Sequence, residues 1–344
     1  MSKVKTPDFG AMSRLAADID LDASGKATGF VRVPHSVHRS AYGWIPIPIV
    51  RIKNGKGPSV VMQAGTHGDE WEGQIGLGNL IRSLKPSQIQ GKLVILPSAN
   101  FPAAMAGTRT SPIDEGNLNR LFPGDPNGTI TEQIAFWIEQ HLLKGADYSF
   151  DFHSGGSSLT YVPSALAPLA PEPAKRKKTI ELLQAFGAPV GYIAAIPQGG
   201  GRTFTSASYR QGVVSLGTEL GGGGLVTPTT IRIAEAGMRR VLHKIGLLRG
   251  KPPAAPATPT RLMEIGGDDY YIYASDSGLF EPLVELGAEV KKGQPGARIH
   301  FHHTPWREPE VLRFKRAGTV LCKRVPARCE RGDCLFHLGT DLEG

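Results

Sequence analysis

Cysteine is scarce in this 344-residue chain, and its three copies are poorly placed for the usual structural roles. Cys322, Cys329 and Cys334 lie near the carboxyl terminus at intervals of seven and five residues. These intervals match neither a zinc finger nor a zinc ribbon. An odd number of cysteines without a secretory signal predicts reduced thiols. The sequence therefore argues against a disulfide scaffold and against a structural zinc site at these cysteines.

Long apolar runs are missing as well. No uninterrupted run approaches the ~18–20 residues of a membrane span, and residues 1–8 lack the apolar core of a secretory signal. The overall composition, 40% apolar and 20% charged, is ordinary for a globular protein. We therefore expect a cytoplasmic protein with no membrane partner.

Motifs for phosphate or nucleic acid are also lacking. The run Gly221–Gly224 is not followed by Gly-Lys-Ser or Gly-Lys-Thr, and a Rossmann spacing is absent. The net charge is +8, but the basic residues are spread over both halves, and Lys175–Lys178 is the one dense cluster. That cluster is typical of a solvated helix face. We predict no nucleic-acid partner, although a basic balance would suit an anionic substrate.

The sequence does contain a histidine and a carboxylate three positions apart, His67 and Glu70, after a short apolar run. Histidine and glutamate are both residue types that bind zinc, although such a pair on its own is more often a polar loop that caps the next helix. A second apolar run ends at His153, and open α/β sheets collect their sites at the carboxyl ends of strands. Two histidines and one glutamate leave a fourth zinc position for water, as catalytic sites do. We predict one Zn²⁺ per subunit, held by His67, Glu70 and His153.

Four motifs occur in the order found in the succinylglutamate desuccinylase/aspartoacylase family, a branch related to zinc carboxypeptidases, and the resemblance covers nearly the whole chain. These motifs are Thr66–Glu70, Asn117–Arg120, Asp151–Ser154 and Thr218–Gly221. Within the family, residues 109–114, 116–120 and 218–224 are most similar to the deacetylases that act on N-acetyl-L-2,4-diaminobutyrate in ectoine breakdown. The resemblance implies a zinc-dependent hydrolase that releases a small carboxylate from an N-acyl amino acid, and a homo-oligomer.

The resemblance also implies roles for single residues. Glu219, where an apolar run enters a glycine-rich turn, corresponds to the general acid/base that takes a proton from water and returns it to the departing amine. Arg109 corresponds to the arginine that stabilises the oxyanion, because a guanidinium offers fixed donors. Asp151, two residues before His153 on the same strand face, could accept a histidine N–H and orient the ring.

Asn119 and Arg120 match the pair that grips the substrate's α-carboxylate, for which the guanidinium fork is suited. Asn117 is a further candidate for substrate contact. The alternative for Arg120 is a turn stabilised by an ion pair with Asp114 or Asp125.

Strands and helices alternate through the first two thirds of the chain, after proline-interrupted edge strands within residues 30–61. The predicted strands cover 59–64, 93–96, 148–152, 190–196 and 213–216, and the predicted helices cover 70–84, 131–143, 173–186 and 229–248. This rhythm predicts an α/β fold with a mixed, mostly parallel sheet and helices on both faces. The resemblance implies that the fold is zinc carboxypeptidase-like.

Four prolines between residues 251 and 260 favour an extended linker. We predict a catalytic domain at 1–250, a linker at 251–261 and an all-β domain at 262–344. Within the last region, residues 278–294 resemble residues 318–333, and each half has the pattern of strands around a glycine turn. This pattern is similar to a lipoyl- or biotinyl-carrier β-sandwich, but the modified lysine's Met-Lys turn is missing, so we expect a structural cap.

Other functions stay open at this stage. The same residues would serve a deacylase for N-succinylglutamate or N-acetylaspartate, or a zinc carboxypeptidase acting on peptides. A binding protein that has lost its chemistry is disfavoured, because the three ligands and Glu219 are all present. His300, His302 and His303 are dense, but consecutive strand residues face opposite ways. We expect them at the surface or at the mouth of the site.

Overall fold

The computed structural model describes residues 13–169, 172–194 and 198–342. Within these residues the strands are β1 (Ala16–Ala17), β2 (Gly25–Pro34), β3 (Trp44–Asn54), β4 (Ser59–Ala64), β5 (Gly91–Leu96), β6 (Tyr148–His153), β7 (Leu159–Tyr161), β8 (Ser164–Pro168), β9 (Val190–Ala194), β10 (Val214–Glu219), β11 (Arg261–Ile265), β12 (Tyr271–Tyr273), β13 (Gly278–Pro282), β14 (Glu289–Val290), β15 (Pro295–His300), β16 (Glu310–Arg313), β17 (Gly318–Arg324), β18 (Arg328–Cys329) and β19 (Cys334–Asp341). The helices are α1 (Trp71–Ser83), α2 (Phe101–Ala106), α3 (Ile130–Trp137), α4 (Pro173–Phe186), α5 (Phe204–Arg210) and α6 (Pro228–Lys244), and α3 continues as a π-helical turn over Ile138–Leu143. No helix among the described residues has the length and apolar character needed to cross a membrane.

One large mixed sheet runs through the molecule in the order β1-β2-β3-β5-β4-β6-β10-β8-β9-β11-β19-β17-β14, with β7 and β12 attached to β17 and β19. Strands β5, β4, β6 and β10 are parallel neighbours, and so are β8, β9 and β11. Antiparallel pairings outnumber the parallel ones, because β1–β3 form an antiparallel edge, β8 runs against β10, and the strands after β11 are antiparallel. The prediction of a mixed α/β sheet is confirmed, but the expectation that it is mostly parallel is wrong outside its centre.

Helices cover both faces of the central strands, as the alternation predicts. On one face, α1, α4 and α6 pack through side chains such as Leu77, Leu183 and Met238. On the other face, α3 and α5 pack through Ile134 and Phe204 against β2, β3 and β5. Each such fully buried side chain contributes about 1.5–3 kcal/mol relative to an exposed one, so the parallel centre is held from both sides.

Most predicted elements have bounds close to those in the structure. The strand at Ser59–Ala64 and the helix at Pro173–Phe186 agree residue for residue. The helix predicted to reach residue 248 stops at Lys244, because Gly246 adopts a positive φ of 77°. The strand predicted for 190–196 is observed to Ala194, and its last two residues lie outside the described residues.

The strand predicted for 213–216 continues to Glu219, because its parallel pairing with β6 extends to the register pair Glu219 and His153. Three strands that are adjacent in the sheet, β4, β6 and β10, therefore end side by side at their carboxyl ends. This is the edge at which open α/β sheets collect ligands.

The predicted pseudo-repeat corresponds to a repeated arrangement of strands. In each half a long strand, β13 or β17, is followed by a two-residue strand and a glycine turn, at Gly293 (φ 81°) or Gly332 (φ 92°). The short strands are exchanged, since β14 pairs with β17 and β18 pairs with β13. A four-stranded sheet, β16-β15-β13-β18, faces the end of the large sheet across a shared core. The division into two domains stays a prediction, and the sheet itself continues past the linker through the pairing of β9 with β11.

Candidate active site

The loop from β4 to α1 carries His67 and Glu70, and its course depends on a glycine between them. A Cβ on Gly68 would overlap the carbonyl of Ala103, and the Gly68 N–H donates to the carbonyl of Thr108 at 2.9 Å. Helix α1 begins immediately after Glu70. The tight approach that only glycine allows therefore brings both predicted ligands to the end of β4.

His67, Glu70 and His153 come together as predicted. Their candidate ligand atoms all lie within 4.8 Å of one another, and the three residues are 3%, 3% and 9% exposed. Nδ1 of His67 lies 2.7 Å from Oε1 of Glu70, and Nδ1 of His153 lies 2.7 Å from Oε2. Both imidazoles thus direct the same ring nitrogen toward one carboxylate.

The outer ring nitrogens show which tautomers these contacts require. Nε2 of His67 donates to Oδ1 of Asn117 at 3.1 Å, and Nε2 of His153 donates to Oδ2 of Asp151 at 2.8 Å. A neutral ring with its proton on Nε2 has a lone pair on Nδ1. Two nitrogen lone pairs and a carboxylate then converge on one point, which suits a divalent cation such as Zn²⁺.

The electrostatics agree with a site that exchanges protons for a metal. Burial alone would lower the pKa of His153. The negative charges of Asp151 and Glu70 outweigh burial and hold this pKa well above its usual range. Burial alone would raise the pKa of Glu70. The two imidazoles outweigh burial, so this pKa lies well below its ordinary value. A metal ion at this point would displace the His153 proton, as is general for imidazole ligands.

A second layer of hydrogen bonds fixes Asp151. Its Oδ1 accepts from Oγ1 of Thr66 at 2.9 Å, and Thr66 accepts in turn from Nε2 of Gln63 at 2.9 Å. The orienting role of Asp151 stays a prediction, and the 2.8 Å contact of its Oδ2 with Nε2 of His153 is the contact that this role requires. Thr66 and Gln63 were not singled out from the sequence, although their position directly before His67 is a signal.

Asn117 has a different placement from the one expected for a substrate contact. Its Oδ1 accepts from the His67 ring and from the Asn119 N–H, both at 3.1 Å, and Asn117 does not line the cavity beside the ligands. Asn117 therefore has the same position relative to Nε2 of His67 that Asp151 has relative to Nε2 of His153.

Glu219, Arg109, Asn119 and Arg120 line a cavity of about 290 Å³ that also contains the three ligand residues. Nη1 of Arg109 lies 3.4 Å from Oε1 of Glu70. Oδ1 of Asn119 accepts a hydrogen bond from the Phe204 N–H at 2.9 Å. The amide nitrogen of Asn119 therefore faces His153, with Nδ2 at 3.3 Å from Nε2 of the ring. The predicted catalytic and clamp residues are therefore gathered around the ligands.

Arg120 has no carboxylate of the described chain within ion-pair distance. Asp114, one alternative partner, accepts instead from the backbone and hydroxyl of Thr131 and from the Gly116 N–H. The Arg120 guanidinium donates to the carbonyl of Asn119 at 2.7 Å, and burial lowers its pKa. It can therefore accept a carboxylate from outside the chain.

Glu219 lies across from His153 in the neighbouring strand, and its Oε2 is buried without a hydrogen-bond partner in the described residues. Burial, followed by the charge of Glu70, raises its pKa well above the usual range for a carboxyl group. A carboxyl group whose pKa lies near the working pH can both accept and donate a proton.

The remaining sequence candidates lie elsewhere. His300 contacts Oε2 of Glu281 at 2.7 Å, and His302 and His303 are exposed; none of the three lines the cavity. Cys322 and Cys329 are buried free thiols, and Cys334 lines the far wall of the cavity.

That far wall also contains four tyrosines and a histidine that sequence reasoning did not connect with the site. They are Tyr161, Tyr192, Tyr271, Tyr273 and His337. The alternation of Tyr271 and Tyr273 around Ile272 signals a common face, but the sequence does not show what that face covers.

The fold and the ligand set together define a family. The chain belongs to the succinylglutamate desuccinylase/aspartoacylase family, whose catalytic-domain model matches residues 56–245. It is 36% identical, over 98% of both chains, to the N-alpha-acetyl-L-2,4-diaminobutyric acid deacetylase of Halomonas elongata. The resemblance noted from the motifs is thereby confirmed.

Two solved structures are similar to this chain over nearly its whole length. A succinylglutamate desuccinylase/aspartoacylase from Rhodobacter sphaeroides is 39% identical, with a TM-score of 0.90, and the match covers 96% of this chain and 100% of that one. The product-bound ectoine utilization protein EutE (DoeB) from Ruegeria pomeroyi is 37% identical, with a TM-score of 0.91 and coverage of 96% and 99%.

Proposed function

We propose that this chain is a zinc-dependent amidohydrolase that removes the acetyl group from N-acetyl-L-2,4-diaminobutyrate. The observation that carries the proposal is the convergence of the Nδ1 atoms of His67 and His153 on the carboxylate of Glu70, together with a Glu219 Oε2 that has no hydrogen-bond partner in the described residues. The identity of 36% to a deacetylase of that substrate supports the choice of acyl amino acid.

The three ligands would hold one Zn²⁺. When bound, the metal lowers the pKa of a water molecule toward ~7 and polarises the scissile carbonyl. Asn117 and Asp151 keep both ligand histidines in the tautomer that this requires.

Glu219 acts as the base and then as the acid. Its carboxylate accepts a proton from the attacking water and delivers it to the departing amine nitrogen, so the same oxygen serves both half-reactions. No hydrogen bond from the described chain competes for Oε2. The buried setting, which raises its pKa, makes the carboxylate a stronger base for the proton of the attacking water.

The two arginines have separate tasks. Arg109, with Nη1 3.4 Å from Glu70, is placed to donate to the oxyanion of the tetrahedral intermediate. Arg120 and the amide of Asn119 bind the α-carboxylate, because the Arg120 guanidinium has no carboxylate partner in the described chain.

The decisive experiment measures acetate release from N-acetyl-L-2,4-diaminobutyrate by zinc-loaded protein. We expect turnover by the wild type, and a fall in kcat of about 10²- to 10⁴-fold in Glu219→Gln, the usual size of a general acid–base contribution. Zinc content should be unchanged, because Glu219 is not a ligand. Glu308→Gln, the same change at an exposed loop position, is the matched control and should retain full activity.

N-acetylaspartate, N-succinylglutamate and a tripeptide serve as competing substrates in the same assay. Faster turnover of N-acetylaspartate or N-succinylglutamate would keep the mechanism but refute the choice of diaminobutyrate. Cleavage of the tripeptide alone would make the protein a carboxypeptidase. Metal binding without hydrolysis of any of them would refute the catalytic proposal.

A further inference from the structure

The far wall of the active-site cavity is one face of the carboxyl-terminal part of the sheet. Tyr161, Cys322, His337 and Tyr271 are register partners in the successive strands β7, β17, β19 and β12. Directly opposed residues share a face of the sheet, so these four side chains form a continuous row. We call Tyr161, Tyr192, Tyr271 and His337 the ring wall.

The rings of this wall pack on one another. Tyr271 stacks on His337 with centroids 4.7 Å apart and an interplanar angle of 2°. Tyr161 and Tyr192 each form a T-shaped pair with the same imidazole, with centroids 6.1 Å apart and interplanar angles of 77° and 88°. Tyr192 comes from β9, so the wall joins the central strands to the carboxyl-terminal ones.

The guanidinium groups among the described residues that line the cavity are those of Arg109 and Arg120, and neither belongs to the ring wall. Nη1 of Arg109 lies 3.4 Å from Oε1 of Glu70, and Arg120 donates to the carbonyl of Asn119. Arg324 has a charge that acts on Cys334, but it does not line the cavity and is paired with Asp333 at 3.0 Å.

The ring wall is uncharged and lies close to a carboxyl group. Burial, followed by other charges that include Glu219, raises the pKa of Tyr161 and of Tyr192 well above the usual value, so both stay neutral. Burial lowers the pKa of His337 to about 3. Both ring nitrogens of His337 are buried without a hydrogen-bond partner in the described chain. The wall therefore combines π faces with a neutral imidazole.

We propose that the ring wall binds the ammonium group at the end of the substrate's side chain, and so makes the site selective for N-acyl amino acids with a cationic side chain. Aromatic faces attract ammonium ions through their quadrupole. A side-chain carboxylate would be buried there without a cation, which is costly. The inference rests on the proposed function and extends it to substrate choice.

Binding of the product amino acids tests the inference without requiring turnover. Isothermal titration of zinc-loaded protein would compare L-2,4-diaminobutyrate with L-norvaline, which has the same chain length and a methyl in place of the ammonium, and with L-aspartate. We expect diaminobutyrate to bind about 2- to 30-fold more tightly than norvaline, as cation–π energies predict, and aspartate to bind most weakly. Equal or tighter binding of norvaline or aspartate would overturn the inference.

A pair of variants tests the aromatic contribution. Tyr192→Leu removes the π face and keeps apolar bulk, whereas Tyr192→Phe keeps the ring. We expect the leucine variant to lose most of the preference for diaminobutyrate over norvaline and the phenylalanine variant to retain it. An unchanged preference in a folded leucine variant would overturn the role of the ring. If that variant does not fold, the wild-type comparison of the three ligands still decides the inference.

The two proposals fail in different ways. Selective binding of diaminobutyrate with no acetate release would support the ring wall and refute the proposed hydrolysis. Acetate release from N-acetyl-L-norvaline as fast as from N-acetyl-L-2,4-diaminobutyrate, with equal binding of both products, would support the hydrolysis and overturn the inference.

Discussion

Each of the two ligand histidines depends on one outward hydrogen bond. Asn117 accepts from His67 and Asp151 accepts from His153, at 3.1 and 2.8 Å. These two acceptors differ in charge. A carboxylate raises the basicity of the imidazole that it contacts, whereas an amide oxygen only orients the ring. His153 should therefore be the stronger donor to a metal.

Asp151→Asn tests this difference. The amide can still accept from Nε2, but the negative charge is lost, so we expect zinc affinity to fall about 10- to 100-fold, the usual range for a lost outer partner. Competition with a chelator of known affinity measures the change. Asp147→Asn, at the exposed position just before β6, is the matched control, and the asparagine amide oxygen can still accept from the Ser59 N–H. Equal affinity in the wild type and Asp151→Asn would show that orientation alone matters.

At the scale of secondary-structure elements, the ring wall includes one residue, His337, that is unfavourable for folding stability. His337 is 2% exposed and neither ring nitrogen has a partner in the described chain, which is unfavourable in a protein interior. The imidazole stacks on Tyr271 and lines the cavity, so it lies where the proposed ammonium contact would be made.

His337 should make the fold sensitive to acid. A histidine titrates near 6.5 in the unfolded chain and at about 3 in the folded one. As the pH falls from about 6.5 to about 3, the unfolded state takes up a proton that the folded state does not. The free energy of unfolding then falls by up to about 1.4 kcal/mol per pH unit. Above pH 6.5 this contribution is fully present.

His337→Phe should abolish this part of the pH dependence and leave stability at pH 7 equal or higher. Urea unfolding at pH 7 and pH 5 measures both quantities. His303→Phe, at an exposed position, should retain the wild-type slope. An identical slope in His337→Phe would mean that the imidazole is protonated in the folded protein.

The ligand set could be predicted from sequence because its spacing is local. His67 and Glu70 are three residues apart, and His153 ends a recognisable strand. The ring wall could not be predicted, since Tyr161, His337 and Tyr271 meet only through cross-strand register, which one sequence does not specify. The parallel centre of the sheet could be predicted from the alternation of strands and helices. The position of β8, which runs antiparallel beside β10, could not.

At the scale of the whole molecule, the large sheet joins the two predicted domains. β11 pairs with β9 on one side and with β19 on the other, so the sheet is continuous across residues 251–260. Removal of the residues after 250 would expose the edge of β9 and remove part of the ring wall. The predicted cap is therefore also a wall of the proposed active site.

Cleavage of the linker tests this continuity. We expect a chain with a protease recognition sequence inserted after the exposed Thr258 to be cut there, and the two fragments to elute together from a sizing column under native conditions. The pairing of β9 with β11 and the packing of Tyr192 against His337 hold the two fragments together. Activity toward the acetylated substrate should survive the cut. Fragments that separate without denaturant would show two independent domains.

The order of the residues along the chain has a consequence for how this protein can change over generations. The ligands and Glu219 all precede the linker, whereas Tyr271 and His337 follow it. Substitutions after residue 250 can therefore change Tyr271 and His337 while leaving the proposed hydrolytic groups untouched. If the ring wall selects the side chain as proposed, a lineage can change its substrate without first losing its chemistry.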